Sequence, residues 1–184
     1  MKSLAINIRF CGFGGQGIVL SAIVLGTAVV TRQNLYAAQT QSYGSEARGG
    51  QCQAELIISD KVINAPHADK KDILIALSQS ALDRYISSLK PEGILIIDPF
   101  LVTDTLDSKF RTFEVAATEK AAKLGNKIAA NMVLLGFLQA TTGLITRDDL
   151  IDTVKETVHK EYVTLNLKAV DAGIKMAEGV KMEV

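Results

Sequence analysis

A glycine-rich segment at residues 12–17, GFGGQG, is the part of this sequence whose residue types and spacing most clearly suggest chemistry. It follows an apolar run at residues 4–11 and precedes a run of apolar and small residues at 18–30, so we predict a strand, a glycine turn and a helix. In this arrangement the backbone N–H groups at the start of the helix can bind a phosphate. Glycine allows the sharp turn and lets a phosphate approach the backbone closely. The predicted phosphate-binding residues are Gly12, Gly14, Gly15, Gln16 and Gly17.

The same glycines satisfy G-x-G-x-x-G, a pattern that is typical of NAD- and FAD-binding proteins. That interpretation needs an acidic residue about 20 positions further on to bind a ribose hydroxyl. Residues 1–45 contain no Asp or Glu, whereas Arg32 stands where the 2′-phosphate of NADP could bind. A tight turn that binds no ligand is a further alternative. The carboxamide of Gln16 can hydrogen-bond either to a ligand or to a neighbouring loop.

A second polar segment, QTQSYGSEARGG at residues 39–50, lies between two apolar segments and is expected to form a loop. Glu46 and Arg48 can each bind a charged group, and Arg48 can hold a carboxylate or phosphate with two hydrogen bonds. The alternative is a solvated surface loop. Its single RGG triplet does not support RNA binding in a chain with no net charge.

Length and composition favour one globular domain that spans residues 1–184, since 48% of the residues are apolar. Lys plus Arg and Asp plus Glu number 20 each, so charge gives no support for binding to nucleic acid or an acidic membrane. The run at residues 18–30 is too short to span a membrane, and Arg9 interrupts the only candidate signal peptide, which indicates a cytoplasmic protein.

Two cysteines, Cys11 and Cys52, are too few and too far apart to hold a four-cysteine iron–sulfur cluster or a structural zinc ion. We expect both to be buried free thiols, with a disulfide as the alternative. His67 and His159 lie in unrelated contexts, and we predict no catalytic residue and no metal ligand in this chain.

Strand and helix patterns alternate along the chain, which predicts an α/β fold with three α/β/α layers and a mainly parallel, mixed sheet. An antiparallel component would come from a hairpin in which Asp60-Lys61 turns the chain into Val62-Ile63. Residues 90–93 are expected to interrupt regular secondary structure. Thr146 and Asp149 are expected to form a capping box. The predicted strands are 4–10, 53–59, 73–77, 94–97 and 110–115, and the predicted helices are 18–30, 78–89, 118–125, one starting at 146, and 163–176, with a buried segment at 127–141.

In such a sheet, ligands bind at the carboxyl ends of the strands. That edge would bring together residues 12–17, Ser78-Gln79 and Asp98-Pro99. The apolar helix at residues 18–30 is either a buried crossover helix or a surface that packs against another subunit. In either case we expect the isolated chain to self-associate or to need partners.

The two polar motifs together resemble the gamma subunit of the 2-oxoacid:ferredoxin (acceptor) oxidoreductases. The resemblance rests on GFGGQGIVLSA at 12–22 and QSYGSEARGG at 41–50, and it continues through 58–60, 77–82, 130–132 and 135–136. The form of the second motif is similar to that of the 2-oxoglutarate and branched-chain members. The resemblance implies a Rossmann-like fold, as in domain III of pyruvate:ferredoxin oxidoreductase.

The resemblance implies that the steps of the reaction are divided among several subunits. The complex would decarboxylate 2-oxoglutarate oxidatively to succinyl-CoA, with thiamine diphosphate, Mg and 4Fe-4S clusters on alpha-, beta- and delta-type partners, and ferredoxin, flavodoxin or another acceptor taking the electrons. This chain, not catalytic alone, would bind coenzyme A phosphates through the glycine turn. Alternatives are a branched-chain member of the family, a stand-alone Rossmann-type NAD(P)- or FAD-binding oxidoreductase, and a purely structural subunit. The residues expected to line the coenzyme A channel or the subunit interface are Ser42, Tyr43, Glu46, Arg48 and Gly49.

Overall fold

The computed structural model of the protein describes residues 5–44, 50–104 and 110–182. Within these ranges the chain forms six strands and six α-helices. The strands are β1 (Ala5–Phe13), β2 (Tyr36–Tyr43), β3 (Gln51–Ser59), β4 (Lys71–Ala76), β5 (Leu89–Ile97) and β6 (Arg111–Glu114). The helices are α1 (Ile18–Gln33), α2 (Gln79–Tyr85), α3 (Ala117–Lys123), α4 (Ala130–Thr142), α5 (Arg147–Thr157) and α6 (Val163–Met176), with 3₁₀ turns at Ile86–Ser88, Lys127–Ala129 and Lys160–Tyr162.

All six strands join one sheet in the order β2-β3-β1-β4-β5-β6. The four strands β1, β4, β5 and β6 pair in parallel, whereas β3 pairs antiparallel with both β1 and β2. The predicted mainly parallel, mixed sheet is therefore confirmed. Its parallel half carries the buried apolar runs that are typical of strands covered on both faces.

Helices cover the two faces of this sheet unequally. Alternate residues of β1, Ile6, Ile8 and Phe10, enter the main core, to which α1, α3, α4, α5 and α6 contribute. On the opposite face, Cys11, Leu74 and Ala76 enter a smaller core under α2. The three-layer α/β/α arrangement is confirmed, with one short helix forming the third layer.

The hairpin expected at Asp60-Lys61 is wrong. The antiparallel partners of β3 are β1 and β2, and its pairing with β2 runs from Tyr36 opposite Ser59 to Tyr43 opposite Cys52. Residues 62 and 63 lie outside the strands, and Val62 is 63% exposed. Because β1 and β2 pair with the two edges of β3, no edge of β3 remains for a strand at residues 62–63.

Three further segments differ from the sequence prediction. Residues 36–43, expected to belong to a polar loop from residue 39 onwards, form strand β2 instead. Residues 90–93, which were expected to interrupt regular secondary structure, lie inside β5. The register between β4 and β5 shifts at this point, between Lys71 and Ile73 of β4. The helix predicted at residues 78–89 ends at Tyr85 and continues only as a 3₁₀ turn. Ser78 caps it as predicted, because its hydroxyl accepts a hydrogen bond from the Ala81 N–H at 3.3 Å.

Helix α1 is largely a buried crossover helix that packs over β1, β2 and β3. Its outer side leaves Ile23 and Val30 partly exposed, and both line a shallow cleft with Ala37 and Gln39 of the edge strand β2. Self-association or a need for partners therefore stays a prediction. None of the helices in the described ranges is both long enough and apolar enough to cross a membrane.

Candidate functional site

The glycine turn lies at the carboxyl end of β1, as predicted, but it is shorter than the motif. Gly12 and Phe13 are the last residues of β1, so the turn itself comprises residues 14–17. Gly15 and Gly17 have φ values of 94° and 73°, in the left-handed region that favours glycine. Gly17 is also the N-cap residue of α1, which fixes the turn against the start of that helix.

Two backbone N–H groups of the turn already have partners within the chain. Gly14 N–H donates to the Gly50 carbonyl at 3.0 Å, and Gln16 N–H donates to the Phe13 carbonyl at 3.2 Å. Those of Gly15 and Gly17 have no partner among the described residues. The first N–H groups of α1 also lack intrahelical acceptors, and its first turn carries no acidic residue. The turn therefore presents a set of donors, with the positive end of the helix dipole, that suits an anion.

The Gln16 side chain is occupied within the chain. Its Oε1 accepts from Phe13 N–H at 2.6 Å, and its Nε2 donates to the Leu77 carbonyl at 2.8 Å. A Cβ at position 12 would overlap Oε1 of Gln16, so Gly12 leaves room for this contact. Of the two uses predicted for the carboxamide, contact with a neighbouring loop is the one observed, and Gln16 positions the turn.

Asn131, at the start of α4, is a site residue that sequence reasoning missed. It is 3% exposed, and its Nδ2 donates to the Gly17 carbonyl at 3.3 Å. A Cβ at position 17 would overlap this amide, so glycine is required there by packing as well as by φ. The sequence signal was a polar residue in an otherwise apolar segment, and it was used only as part of the family resemblance.

Two clefts flank the turn and share Gly15 and Ile128 in their lining. The larger cleft, of about 410 Å³, lies against α4 and α6 and is lined by Asn131, Asn166, His159, Tyr162 and Leu165, among others. The smaller cleft, of about 310 Å³, lies at the ends of β4 and β5 and is lined by Leu77, Phe100, Thr118 and Lys127, among others. A ligand bound at the turn would therefore have room to extend in two directions.

The second motif begins beside the glycine turn. Ser42 and Tyr43 are the last residues of β2, and Tyr43 is 61% exposed. The hydrogen bond from Gly14 to Gly50 joins the turn to the far end of this motif. The remaining predicted residues, Glu46, Arg48 and Gly49, lie outside the described residues.

Residues after β4 and β5 meet at the same edge, as predicted. Leu77 N–H donates to the Cys11 carbonyl at 2.8 Å, and the Asp98 carboxylate accepts from Thr118 N–H at 2.6 Å. The Gln79 side chain accepts from Thr103 N–H at 3.1 Å. Gln79 and Asp98 therefore hold neighbouring segments together at this edge of the sheet, and Ser78 caps α2 there.

The sheet departs from the dinucleotide-binding pattern at β2. In that pattern, the strand after the glycine helix lies next to the first strand and ends in the acidic ribose-binding residue. Here β3 separates β2 from β1, and β2 ends in Ser42 and Tyr43. The end of β2 therefore lacks the acidic ribose-binding residue of that pattern.

The two cysteines lie beside the start of the turn, since Cys11 precedes Gly12 and Cys52 pairs with Gly12 across the sheet. Both cysteines are buried and free, on opposite faces of the sheet. Burial raises the pKa of the Cys11 thiol to about 12, against a smaller opposing effect of the Arg9 charge, and burial also raises the pKa of Cys52. Across the described part of the chain, no group of three or more His, Cys, Asp or Glu side chains could hold a metal ion.

Comparison with known proteins gives concordant matches. Residues 7–176 match the family described as Pyruvate ferredoxin/flavodoxin oxidoreductase. The chain is 42% identical over 174 residues to subunit KorC of 2-oxoglutarate synthase from Methanothermobacter thermautotrophicus, covering 91% of this chain and 92% of that protein.

Solved structures agree in fold. A keto/oxoacid ferredoxin oxidoreductase gamma subunit from Geobacter sulfurreducens is 36% identical, with a TM-score of 0.83 over 95% of this chain and 99% of that one. A 2-oxoglutarate:ferredoxin oxidoreductase from Magnetococcus marinus, solved with 2-oxoglutarate, coenzyme A and succinyl-CoA bound, shares the fold with a TM-score of 0.88 at 21% identity. That match covers all of this chain and 32% of the other.

Proposed function

Because the chain belongs to the pyruvate ferredoxin/flavodoxin oxidoreductase family, we propose that it is the gamma subunit of a multi-subunit 2-oxoglutarate:ferredoxin oxidoreductase. Such an enzyme decarboxylates 2-oxoglutarate oxidatively to succinyl-CoA. The observation that carries the proposal is the 42% identity to a 2-oxoglutarate synthase subunit over nearly the full length of both chains. The family resemblance predicted from the two polar motifs is confirmed.

We further propose that the glycine turn binds the phosphates of coenzyme A. The N–H groups of Gly15 and Gly17, which have no partner among the described residues, and a helix start without acidic residues support an anionic ligand. Coenzyme A carries a diphosphate and a ribose 3′-phosphate, and both groups accept hydrogen bonds from such N–H donors. Because its 3′-hydroxyl is phosphorylated, the ribose has no free diol for a carboxylate to bind. The two clefts beside the turn give room for the rest of the molecule.

The second motif would line the coenzyme A channel or the interface with a partner subunit. The exposed ends of β2 at Ser42 and Tyr43, beside the turn, support this placement. Glu46, Arg48 and Gly49 belong to the same proposal through the family resemblance.

The redox chemistry would belong to the partner subunits. We propose that alpha-, beta- and delta-type subunits carry thiamine diphosphate, Mg and the 4Fe-4S clusters, and that ferredoxin, flavodoxin or a similar acceptor takes the electrons. Cys11 and Cys52 are buried on opposite faces of the sheet, a placement that fits packing rather than cluster ligation. Two free thiols also fit the proposed cytoplasmic location.

The test is Gly15→Ala in the reconstituted complex. At a φ of 94° a Cβ is strained, and it would stand at the opening of the turn, so we expect KM for coenzyme A to rise about five- to tenfold. The KM for 2-oxoglutarate and the assembly of the complex should stay unchanged.

Gly143→Ala is the matched control. Gly143 also has a left-handed φ of 64°, and no atom lies within 4 Å of the Cβ that alanine would add. It is the C-cap residue of α4, at the opposite end of that helix from Asn131. An unchanged KM for coenzyme A in assembled Gly15→Ala complex would contradict the phosphate assignment and favour a purely structural subunit.

A further inference from the structure

We propose that β2 pairs with the β2 strand of a second copy of this chain, so that two sheets join into one continuous sheet across a two-fold axis. β2 is an edge strand, and among the described residues β3 is the only strand that pairs with it. A free strand edge presents backbone N–H and C=O groups that can hydrogen-bond to another strand. Such pairing depends neither on a ligand nor on the partner subunits considered above.

Strand β2 lacks the features that protect an edge strand from pairing. Its eight residues include no Pro and no charged side chain, and its register with β3 is regular from end to end. The opposite edge strand, β6, has four residues, of which Arg111 and Glu114 are charged. Charged side chains, proline, bulges and short length are the usual means of protection. The edge at β2 is therefore the one suited to accept another strand.

The helix beside this edge is also poor in charged residues. Residues 10–45, which include α1 and β2, contain a single charged residue, Arg32, although 22% of the whole chain is charged. Arg32 already forms an ion pair with Glu156, at 2.6 Å. Depletion of charge is typical of the centre of a protein interface. Two copies can therefore bring this surface together without opposing like charges.

The two faces of the sheet restrict how two β2 strands can pair. A two-fold axis perpendicular to the sheet keeps both α1 helices on the same face, and each residue then lies opposite one from the same face. With the axis at Thr40, residues 37–43 of one copy pair antiparallel with residues 37–43 of the other. Thr40 then lies opposite Thr40 of the second copy, which is a favourable cross-strand pair, and Gln39 lies opposite Gln41, where two carboxamides can hydrogen-bond. In this register the strand is complementary to itself.

Tyr43 favours the axis at Thr40. Its side chain is 61% exposed, and in this register it lies opposite Ala37 of the second copy. Ala37 lines the shallow cleft of about 310 Å³ that also includes Ile23 and Val30 of α1. The tyrosine ring would fill this cleft and cover both apolar side chains. An axis at residue 39 would leave Tyr43 beyond the paired residues.

The contact is large enough for a dimer of moderate stability. Eight strand residues extend about 27 Å, and the sheet with its α1 layer is about 20 Å deep. Two copies would therefore bury about 1,100 Å² in total, close to the minimum of about 1,000 Å² for a specific interface. We expect a Kd for the dimer on the order of micromolar.

Sedimentation velocity of the full-length chain over a range of concentrations measures this Kd. Thr40→Lys puts two ammonium groups opposite each other at the axis, so it should raise the Kd at least about thirtyfold. In the monomer the new side chain lies next to Glu55 of β3, which favours a folded variant. Thr40→Glu should also be monomeric, and an equimolar mixture of the two variants should restore dimers. Thr164→Lys, at an exposed threonine of α6, is the control and should leave the Kd unchanged.

Oxidative cross-linking tests the register and does not depend on the charged variants. Thr40→Cys should give a covalent dimer, because directly opposite Cβ atoms are about 5 Å apart. Ser42→Cys is the matched control, since the two copies of residue 42 would be separated by four residues along the strands, about 13 Å. Cys11 and Cys52 are buried and should form no cross-link.

Three results would overturn the proposal. They are a wild-type chain that stays monomeric at about 100 times the expected Kd, a Thr40→Lys chain that still dimerises, and a Ser42→Cys chain that cross-links more readily than Thr40→Cys. A wild-type monomer that enters the complex with its partner subunits, while Thr40→Lys does not, would show that the edge pairs with one of those subunits instead.

Discussion

Glu55 holds two cations inside the protein, away from the candidate site. Its carboxylate accepts hydrogen bonds from the Arg9 guanidinium and from the Lys71 ammonium, the latter at 2.7 Å. All three residues are less than 9% exposed. Burial alone would raise the pKa of Glu55, but the hydrogen bonds and charges of Arg9 and Lys71 outweigh it and hold the pKa below its ordinary value.

We predict that Glu55→Gln lowers the free energy of unfolding by about 3 kcal/mol at pH 7, because it leaves Arg9 and Lys71 buried without their anion. Since the pKa of Glu55 is lower in the folded state, its contribution is complete above the unfolded pKa of about 4.3 and is lost as the pH falls through the folded value. Urea unfolding at pH 7 and in steps below pH 4 measures both effects.

Glu119→Gln is the control for this prediction. Glu119 pairs with Lys123 on the surface of α3, where a single ion pair contributes little. A Glu55 variant as stable as the Glu119 variant at pH 7 would show that the buried cluster is not coupled to folding. The cluster was not predictable from the sequence, where Arg9 stood out only as an interruption of an apolar run.

Helices α4 and α6 cross at a contact that only glycine allows. A Cβ at Gly136 of α4 would overlap the Val170 carbonyl oxygen, and a Cβ at Gly173 of α6 would overlap that of Val133. The two helices carry Asn131 and Asn166, so their spacing also sets the width of the larger cleft.

We predict that Gly136→Ala lowers the free energy of unfolding by about 2 to 3 kcal/mol, because the methyl group forces the helices apart in a packed core. Thermal and urea unfolding measure the loss. Gly14→Ala is the control, since its nearest atom, the Gly50 carbonyl oxygen, would be at 3.7 Å from the added Cβ. Equal stability of the two variants would mean that the crossing can relax at little cost.

Elements whose signals are local were predictable from the sequence. Helix α6 has the predicted bounds, and α5 begins with the predicted capping box of Thr146 and Asp149. Strand β2 was missed because it lies at the sheet edge and is partly exposed on both faces, so YAAQTQSY shows no apolar alternation. The glycine turn of the site was also predictable, because the spacing of its glycines is a local signal. Asn131 and Asn166 are distant from the turn in sequence, and the packing of α4 and α6 brings them near it.

At the scale of the whole molecule, one sheet joins two cores of unequal size. Cys52 belongs to the main core, and Cys11 belongs to the smaller core under α2. The prediction of a single domain over residues 1–184 requires these two cores to unfold together, because β1 contributes side chains to both.

The two native thiols make this prediction measurable. Burial raises the pKa of both, that of Cys11 to about 12, so neither should react with iodoacetamide in the native chain at pH 8. Pulsed alkylation across a urea series, read by mass spectrometry, should give one midpoint for both cysteines, equal to that from circular dichroism. Cys11→Ala and Cys52→Ala variants assign each label. If Cys11 were labelled at a clearly lower urea concentration than Cys52, the α2 side would open on its own, and the single-domain prediction would be wrong.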